Sequence, residues 1–313
     1  MTKNDKLVEG IKQYSKQIGG YAGQHGNLIA SCDGVGTKIL LAQQAKKRYG
    51  RSLKTIGIDC VAMVVNDLLC NGGDPLFFLD YFCSANVNEE DFNEVLEGIY
   101  VGCELAGMEL IGGETAELPG IIERDTFDVC GFGVGKIIDK LPKDNMKAGD
   151  KIVGLPSSGF HSNGYTLIRK HVSAYNADIT KDFIYSLLEP TKIYVSEINA
   201  LKKANIEIKG LAHITGDGYN NVNRVLPDNL YANLRLYDPE KTGVLISPNK
   251  SNETRFFRHD KLFQWIQKEA KLTKKEMMAT FNCGVGMVVI IPDDCDWLHL
   301  SNVVKEHLIL GEL

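Results

Sequence analysis

A single turn early in the chain constrains the fold more than any other feature. The apolar run Leu28–Cys32 predicts a β-strand that continues directly into Asp33–Lys38, with the sequence DGVGTK, and a helical pattern follows toward Tyr49. Two glycines in a strand-to-helix turn let backbone amides approach a ligand, and Asp33 is the type of ligand that Mg²⁺ prefers beside phosphate oxygens. The segment is compatible with a metal–phosphate site and also with a plain turn whose Asp and Lys are solvated.

The same segment lacks two familiar nucleotide-binding patterns. Neither G-x-x-x-x-G-K-[ST] nor G-x-G-x-x-G occurs in the 313 residues, which excludes a Walker A loop and a dinucleotide fingerprint. The net charge is −5, from 35 basic and 40 acidic residues, and no basic stripe stands out, so we predict no nucleic-acid partner. Backbone amides can still bind phosphate locally in an acidic protein.

Acidic side chains accompany several predicted strands. Besides Asp33, Asp59 follows the predicted short strand Thr55–Ile58, and Asp80 and Glu114 accompany two later apolar runs. Acids at successive strand ends can converge on one metal–phosphate site, which is the interpretation we favour. The alternative is that strand ends are polar because the loops that follow them are exposed.

Asn66 and Asp67 form a polar pair inside the apolar helical run Cys60–Cys70. A buried polar pair must be satisfied by hydrogen bonds or by a ligand. If the pair instead lies on the solvent-exposed face of the helix, water satisfies it and no protein partner or ligand is needed. The sequence leaves both interpretations open.

Strands and helices mix along the whole chain, which predicts an α/β or α+β fold. The clearest helix runs over Asn88–Ala106, with Asn88 as its cap and three acids in its first turn. The polar stretch Asp139–Asp150 separates two halves that each begin with strands. We place the domain boundary there, which gives domains at 1–140 and 141–313.

The second half contains a loop suited to binding an anion or a small substrate. Ser157–Asn163 combines small hydroxyls, a glycine and the start of a helix, and His161 within it can move a proton near neutral pH. A capping or packing role is the alternative for His161. A later turn, Thr215–Gly218, suggests a similar site, although a plain turn would explain it as well.

The cysteines and the hydropathy of the chain bear on its location. None of the eight cysteines forms a C-x-x-C pair, the first residues are polar, and no apolar stretch reaches the ~18 residues of a membrane span. We therefore predict a protein of the reducing cytoplasm that has no membrane partner.

Several motifs occur in an order that is typical of one enzyme family. They are Asp33–Lys38, Gly57–Asp59 with Asn66 and Asp67, Pro75–Tyr81, Gly112–Glu117, Ser157–Gly159, His161–Tyr165, Pro190–Tyr194 and Thr280–Met287. In these motifs, and over nearly its whole length, the chain resembles the aminoimidazole ribonucleotide synthetase family, the phosphoribosylformylglycinamidine cyclo-ligases. It resembles a shortened member, since the chain starts almost at Leu7–Lys12, whereas family members usually have a further segment before this element.

The resemblance implies both a fold and a reaction. The fold is α/β (α+β) with two domains, in which the N-terminal half and its flanking helices form a β-barrel shared by a homodimer, and the C-terminal half is an α/β domain. The reaction is the ATP-dependent cyclisation of formylglycinamidine ribonucleotide to aminoimidazole ribonucleotide in purine biosynthesis, with release of ADP and phosphate. ATP and Mg²⁺ are the implied cofactors, and K⁺ is a further candidate.

The resemblance also implies roles for matching positions. The implied catalytic residues are Asp33, Lys38 and His161, and the implied metal ligands are Asp33, Asp59 and Glu114. The implied ATP contacts are Gly34, Val35, Gly36, Thr37, Lys38, Asp59, Asn66, Asp67, Gly113, Glu114 and Thr115. The implied substrate contacts are Glu117, Ser157, Ser158, Gly159, His161, Asn163, Thr215 and Gly216.

Asp217 departs from the family pattern, because a glycine is common at this position and a carboxylate can repel a substrate phosphate. The departure keeps open a related protein that binds ATP or substrate without turnover. The nearest competing families also use ATP: formylglycinamidine ribonucleotide synthase domains, selenophosphate synthetase, thiamine-monophosphate kinase and a hydrogenase-maturation protein. The motifs Gly112–Glu117, His161–Tyr165 and Phe281–Gly286 favour the cyclo-ligase.

Overall fold

The apolar strands assemble into two five-stranded β-sheets, one in each half of the chain. The computed structural model describes residues 10, 11, 14, 20–172, 180–234 and 260–313, so most of the segment Leu7–Lys12 lies outside it. Strands and helices in both halves confirm the predicted α/β fold with two domains. Within the described ranges, no helix has both the length and the apolar character that a membrane span requires.

The N-terminal sheet has the strand order β1-β2-β5-β3-β4, and only the pair β3–β4 is parallel. Its strands are β1 (Gly23–His25), β2 (Leu28–Gly34), β3 (Gly73–Ser84), β4 (Glu109–Glu117) and β5 (Phe127–Ile137). Because β2 and β3 are both antiparallel to β5, the C-terminal ends of β2, β3 and β4 lie at the same edge of the sheet. The strand predicted from the apolar run Leu28–Cys32 is confirmed as part of β2.

The helices of this half are α1 (Lys38–Tyr49), α2 (Lys54–Cys70) and α3 (Glu89–Ala106). Helices α2 and α3 cover one face of the sheet and cross closely, because glycines meet at the crossing. A Cβ atom built on Gly57 would lie only 2.0 Å from the carbonyl oxygen of Val95. The Asn88 side chain accepts a hydrogen bond from the backbone N–H of Asp91, which confirms the predicted helix cap.

The prediction of a short strand at Thr55–Ile58 is wrong, because these residues form the first turns of α2. Thirteen of the seventeen residues of this helix are buried, since it packs against the sheet, against α3 and against the C-terminal half. A helix that is buried on nearly all sides lacks the 3.6-residue periodicity that distinguishes a helix from a buried strand. Asp59 therefore lies within a helix and not at a strand end.

The C-terminal sheet is antiparallel, with the order β7-β9-β6-β10-β8. Its strands are β6 (Lys151–Pro156), β7 (Gly210–His213), β8 (Asn233–Leu234), β9 (Val285–Ile291) and β10 (Leu308–Glu312). The helices are α4 (Tyr165–His171), α5 (Lys181–Leu187), α6 (Val195–Lys203), α7 (Asp260–Glu269), α8 (Lys274–Thr280) and α9 (Trp297–Val303), with a 3₁₀-helix at Gly218–Val225. The division of the chain at residue 140 falls between β5 and β6 and stays a prediction.

Candidate functional site

A buried ion pair joins the two halves of the chain at the end of the DGVGTK turn. The Lys38 ammonium lies 2.9 and 2.8 Å from the two carboxylate oxygens of Asp59, and both side chains are completely buried. Lys38 also donates to the backbone carbonyls of His161 and Glu189, at 2.9 and 2.6 Å. Asp59 accepts hydrogen bonds from the backbone N–H and the hydroxyl of Thr191, at 2.6 and 2.7 Å. The pair therefore holds two loops of the C-terminal half against two N-terminal helices.

This geometry differs from the phosphate and metal roles implied for Lys38 and Asp59. The three protons of the Lys38 ammonium have three protein oxygens as acceptors, so none is left for a phosphate. Burial lowers the pKa of Lys38, while the adjacent Asp59 carboxylate acts in the opposite direction. The Asp59 carboxylate also accepts a hydrogen bond from Ser162 at 3.1 Å and is closed to solvent. The contacts favour a structural role for both residues, and their roles toward ATP and metal stay predictions.

Asn66 and Asp67 form a second contact between the halves. The buried Asn66 amide donates to the carbonyl of Lys192 at 2.8 Å, and its oxygen accepts from the backbone N–H of Tyr194 at 3.1 Å. One carboxylate oxygen of Asp67 lies 2.9 Å from Nδ1 of the buried His213. Of the two interpretations that the sequence left open, the structure therefore supports a polar pair that is satisfied inside the protein.

Asp33 lies at the end of β2, where the two halves meet. The side chain is half-buried, and one of its oxygens accepts a hydrogen bond from the backbone N–H of Gly34 at 2.8 Å. Burial, and then the nearby charge of Asp67, raise the pKa of Asp33 from 3.8 to about 6, although Gly34 and His213 act in the opposite direction. The negative charges of Asp33 and Asp67 are therefore only partly compensated by protein groups. A divalent cation bound beside them would stabilise both ionised carboxylates.

The loop that follows β6 folds around the buried His161. Nε2 of His161 accepts a hydrogen bond from the backbone N–H of Ser158 at 3.2 Å. The φ of His161 is 60°, a left-handed conformation that costs a non-glycine residue about 1–3 kcal/mol. Asn282 fixes the loop from another side, since it accepts from the Ser157 hydroxyl and donates to the carbonyl of Gly159. The predicted substrate loop is therefore held in one strained shape by its own side chains.

Asn163 and the turn at Thr215–Gly216 are neighbours, as a shared substrate site requires. The Asn163 side-chain oxygen lies 3.5 Å from the position that a Cβ atom on Gly216 would occupy. Its buried Nδ2 has no hydrogen-bond partner among the residues that the structure describes. The adjacent Asp217 pairs with Arg224 at 3.3 Å, so the departure from the family pattern has a compensating charge beside it.

The site residues predicted on β4 lie away from the cleft beside Asp33, where the two halves of the chain meet. In the sheet order, β5 and β3 stand between β2 and β4, so β4 is about 14 Å from β2. Gly113, Glu114 and Thr115 are exposed. Glu117 accepts a hydrogen bond from the backbone N–H of Val87 at 2.9 Å, at the edge of the sheet.

The three implied metal ligands are not brought together within one chain. Asp33 lies in the cleft, Asp59 lies in the buried ion pair, and Glu114 lies on the outer strand. In the part of the chain that the structure describes, no group of three or more His, Cys, Asp and Glu side chains is arranged to hold a metal ion. Asp33 and Asp67 are two carboxylates near the junction of the halves, where the charge of Asp67 raises the pKa of Asp33.

Two residues that hold the site together were not predicted from the sequence. Thr191 binds Asp59 through both its hydroxyl and its backbone, and His213 binds Asp67 from 146 residues away. Thr191 belongs to the motif Pro190–Tyr194, which was the only available signal. Nothing in the local sequence around His213 indicates such a long-range contact.

Two sequence patterns of one family match the chain. The "AIR synthase related protein, N-terminal domain" matches residues 17–137, and the "AIR synthase related protein, C-terminal domain" matches residues 147–299. The chain belongs to the AIR synthase related family. The resemblance inferred from the ordered motifs is thereby confirmed.

The AIR synthase related family includes relatives that are about 40% identical to this chain. The phosphoribosylformylglycinamidine cyclo-ligase of Thermoanaerobacter sp. (strain X514) is 40% identical over 342 residues, which cover 99% of this chain and 94% of that protein. The protein of the same name from Methylobacillus flagellatus is 41% identical over 313 residues, covering 92% of this chain and 83% of its own.

Solved structures show that the fold of this AIR synthase related chain is shared more widely. Thiamine monophosphate kinase from Aquifex aeolicus matches with a TM-score of 0.63 at 15% identity, covering 100% of this chain and 95% of that one. Hydrogenase maturation protein HypE in complex with ATP matches with a TM-score of 0.58 at 17% identity, covering 100% and 86%. Both protein types belong to the competing families, and at these identities they share the fold alone.

We expect Lys38→Met to destabilise this AIR synthase related protein, because the Asp59 carboxylate would remain buried without its cation. The expected loss is about 3–5 kcal/mol of unfolding free energy, measured by urea titration with circular dichroism. The matched control is Lys54→Met, which removes an exposed ion pair with Glu97 and should cost at most about 1 kcal/mol. Unchanged stability with weaker ATP binding would show instead that Lys38 contacts phosphate.

We expect Asp33→Asn to stabilise the ligand-free protein above pH 6. The folded pKa of Asp33 is raised from 3.8 to about 6, so protonation of Asp33 stabilises the folded protein. This contribution to stability is fully present below pH 3.8 and is lost as the pH rises through 6. The neutral variant should gain about 1–3 kcal/mol at pH 8, with the range allowing for partial exposure, and nothing near pH 4. Urea unfolding of both proteins without Mg²⁺, with Asp128→Asn as control, measures this; a difference independent of pH would contradict it.

Proposed function

We propose that the chain catalyses the ATP-dependent cyclisation of formylglycinamidine ribonucleotide to aminoimidazole ribonucleotide, with release of ADP and phosphate. The observation that carries the proposal is 40% identity, over almost the whole chain, to a relative named phosphoribosylformylglycinamidine cyclo-ligase. The chain is accordingly an ATP-using ligase of purine biosynthesis.

The chemistry defines what the site must provide. An amide oxygen is a poor leaving group, so ATP converts the formyl amide oxygen of the substrate into a phosphate ester. The amidine nitrogen then attacks the same carbon, and phosphate leaves. The protein must hold the triphosphate beside the formyl group, neutralise its charge and keep the substrate curled for ring closure. A cleft between two domains, with a rigid loop on one side, supports these tasks.

The turn between β2 and α1 supports binding of the ATP phosphates. Thr37 occupies the N-cap position of α1, but its hydroxyl pairs with that of Thr166 at 3.2 Å and does not cap the helix, so the first N–H groups of the helix can bind an anion. Gly36 has a φ of 73°, a left-handed conformation that glycine adopts freely. Because Lys38 turns inward and the Gly34 N–H is bonded to Asp33, Thr37 and the amides of residues 35–37 provide the phosphate contacts.

The residues in the cleft fit a Mg²⁺ ion that is shared with phosphate. Asp33 and Asp67 supply two carboxylates close enough to raise the pKa of Asp33, and Mg²⁺ binds one or two carboxylates together with phosphate oxygens. When bound, the ion would supply neutralisation of the triphosphate charge. Glu114, about 14 Å from β2 within one chain, would join this site only from a second copy.

The substrate faces the loop after β6 and the turn after β7. The unpartnered Nδ2 of Asn163 supports a hydrogen bond to substrate, beside the open backbone at Gly216. His161 acts here as a positioning residue, because its ring fixes the Ser158 amide and its carbonyl fixes Lys38. The protonation role implied for His161 by the resemblance is replaced by this role in the proposal.

A homodimer is part of the proposal, and the face of the N-terminal sheet opposite α2 and α3 supports it. Tyr81 and Phe132 lie on this face with 40% and 42% of their surface exposed, and Ile111 on β4 is 55% exposed. Large apolar side chains on one sheet face indicate an interaction surface. A second copy that covers this face would generate the shared β-barrel.

The location and a monovalent ion complete the proposal. All eight cysteines are free, which supports the cytoplasm, where disulfides are rare. K⁺ stays a candidate activating ion on the family resemblance alone.

We expect the purified protein to form ADP and aminoimidazole ribonucleotide in equal amounts from formylglycinamidine ribonucleotide, ATP, Mg²⁺ and K⁺. Asn163→Ala should lower kcat/KM about tenfold, since one hydrogen bond to the substrate is lost. Asn93→Ala, on the exposed side of α3, should leave turnover unchanged. ADP without ring closure, or no product from folded protein that binds ATP, would exclude the proposed reaction.

We expect the protein to sediment with twice the 34.6-kDa mass of its chain. Phe132→Glu should give a folded monomer, because a charge placed on the apolar face disfavours its burial. Gln44→Glu, which adds a charge at an exposed position of α1, is the control and should remain dimeric. A monomeric wild type, or a dimeric Phe132→Glu variant, would contradict the proposed interface.

A further inference from the structure

A second cavity opens at the edge of the N-terminal sheet, away from the Lys38–Asp59 contact. Its volume is about 1030 Å³, and it lies between the ends of β3 and β4, the start of α3 and the connection from β4 to β5. Its lining includes Ser84, Asn86, Asp91, Glu117, Arg124 and Phe127. The volume is in the range of pockets that bind small molecules.

Ser84 gives this cavity a second, independent indication of a ligand. The residue is only 3% exposed, and its hydroxyl has no hydrogen-bond partner among the described residues. It lies between Glu117 of β4 and Phe127 of β5 in the strand register. A buried hydroxyl without a partner is unfavourable, and a ligand in the cavity would satisfy it.

The charges of the lining restrict the kind of ligand. The Asp91 carboxylate is paired with Lys46 at 2.7 Å, which leaves two carboxylates, those of Glu117 and Asp125, beside a single guanidinium, that of Arg124. This excess of negative charge disfavours a phosphate or carboxylate ligand. Arg124, together with the side-chain amides that line the cavity, in turn disfavours a polycation. The lining matches a neutral molecule that carries both hydrogen-bond donors and acceptors.

An apolar wall adds a shape requirement. Phe82 and Phe127 line the cavity and stack on each other, with ring centroids 5.0 Å apart and an interplanar angle of 20°. A flat, apolar-faced group packs well against such a wall. A heterocycle with N–H groups and ring nitrogens at its rim combines this shape with the required polarity.

We propose that this cavity binds the neutral base and sugar of a purine nucleoside, with the Ser84 hydroxyl bonded to the ligand. The proposal rests on the cavity and not on the proposed ring closure. Two sources have this chemistry: the adenosine end of an ATP molecule, and a separate purine nucleoside. Carboxylates at the rim bind the N–H groups of the base, and Ser84 and Arg124 donate to its acceptors.

Equilibrium dialysis of the full-length protein against labelled adenosine tests the proposal. We expect saturable binding below about 1 mM, with one adenosine per chain. Ser84→Ala and Arg124→Ala should each weaken it about tenfold. Ser84→Ala should not lower the thermal midpoint of unfolding, because it removes a buried hydroxyl that has no partner in the described part of the chain. Arg124→Ala is a second test of the cavity at an exposed residue, where the fold is not affected. Ser52→Ala and Lys136→Ala are the controls outside the cavity.

Competition with ATP separates the two sources. If ATP displaces adenosine from the wild-type protein but not from the two cavity variants, the cavity is the site of the ATP base. Adenosine binding that ATP does not affect would identify a separate nucleoside site. No saturable binding, or binding that neither variant weakens, would overturn the proposal. Ring closure is measured in parallel, so that failure of the cavity proposal with normal turnover leaves the proposed reaction intact.

Discussion

The buried ion pair between Lys38 and Asp59 is the interaction on which the rest of the structure depends. Burying two charges is unfavourable unless their remaining protons and lone pairs are bonded, and here the carbonyls of His161 and Glu189 and both polar groups of Thr191 meet this need. Neither half of the chain supplies all of these partners. The pair is therefore satisfied only when the halves are docked, and docking defines the cleft beside Asp33.

Local patterns predict most of the fold, and the one failure has a clear physical cause. The strands around Leu28–Cys32 and the capped helix beginning after Asn88 are predictable because each has one buried side and a marked end. The segment Thr55–Ile58 resembles a strand because α2 is buried on nearly all its sides. Such a helix has no polar stripe, so its short apolar pieces are ambiguous. The remaining side of α2 is buried by the C-terminal half, and a local sequence pattern contains no information on that contact.

The candidate site is predictable in its residue types more than in its arrangement. The charge of Asp67 raises the pKa of Asp33, whereas Asp59 is held in an ion pair and Glu114 lies on the outer strand. Which acid meets which partner depends on contacts across more than a hundred residues, such as that between Asp67 and His213. Spacing along the chain contains no information on these contacts, so only the structure shows them.

The motif Gly112–Glu117 shows how one strand can serve two surfaces. Because side chains alternate along a strand, Glu114 lies opposite Tyr81 on the exposed face, whereas Glu117 lies opposite Ser84 beside the cavity. A second copy of the chain would cover the first surface, and a ligand would fill the second. Among the described residues, β4 is an edge strand that pairs with β3. β4 therefore presents one face to each of the two proposed contacts.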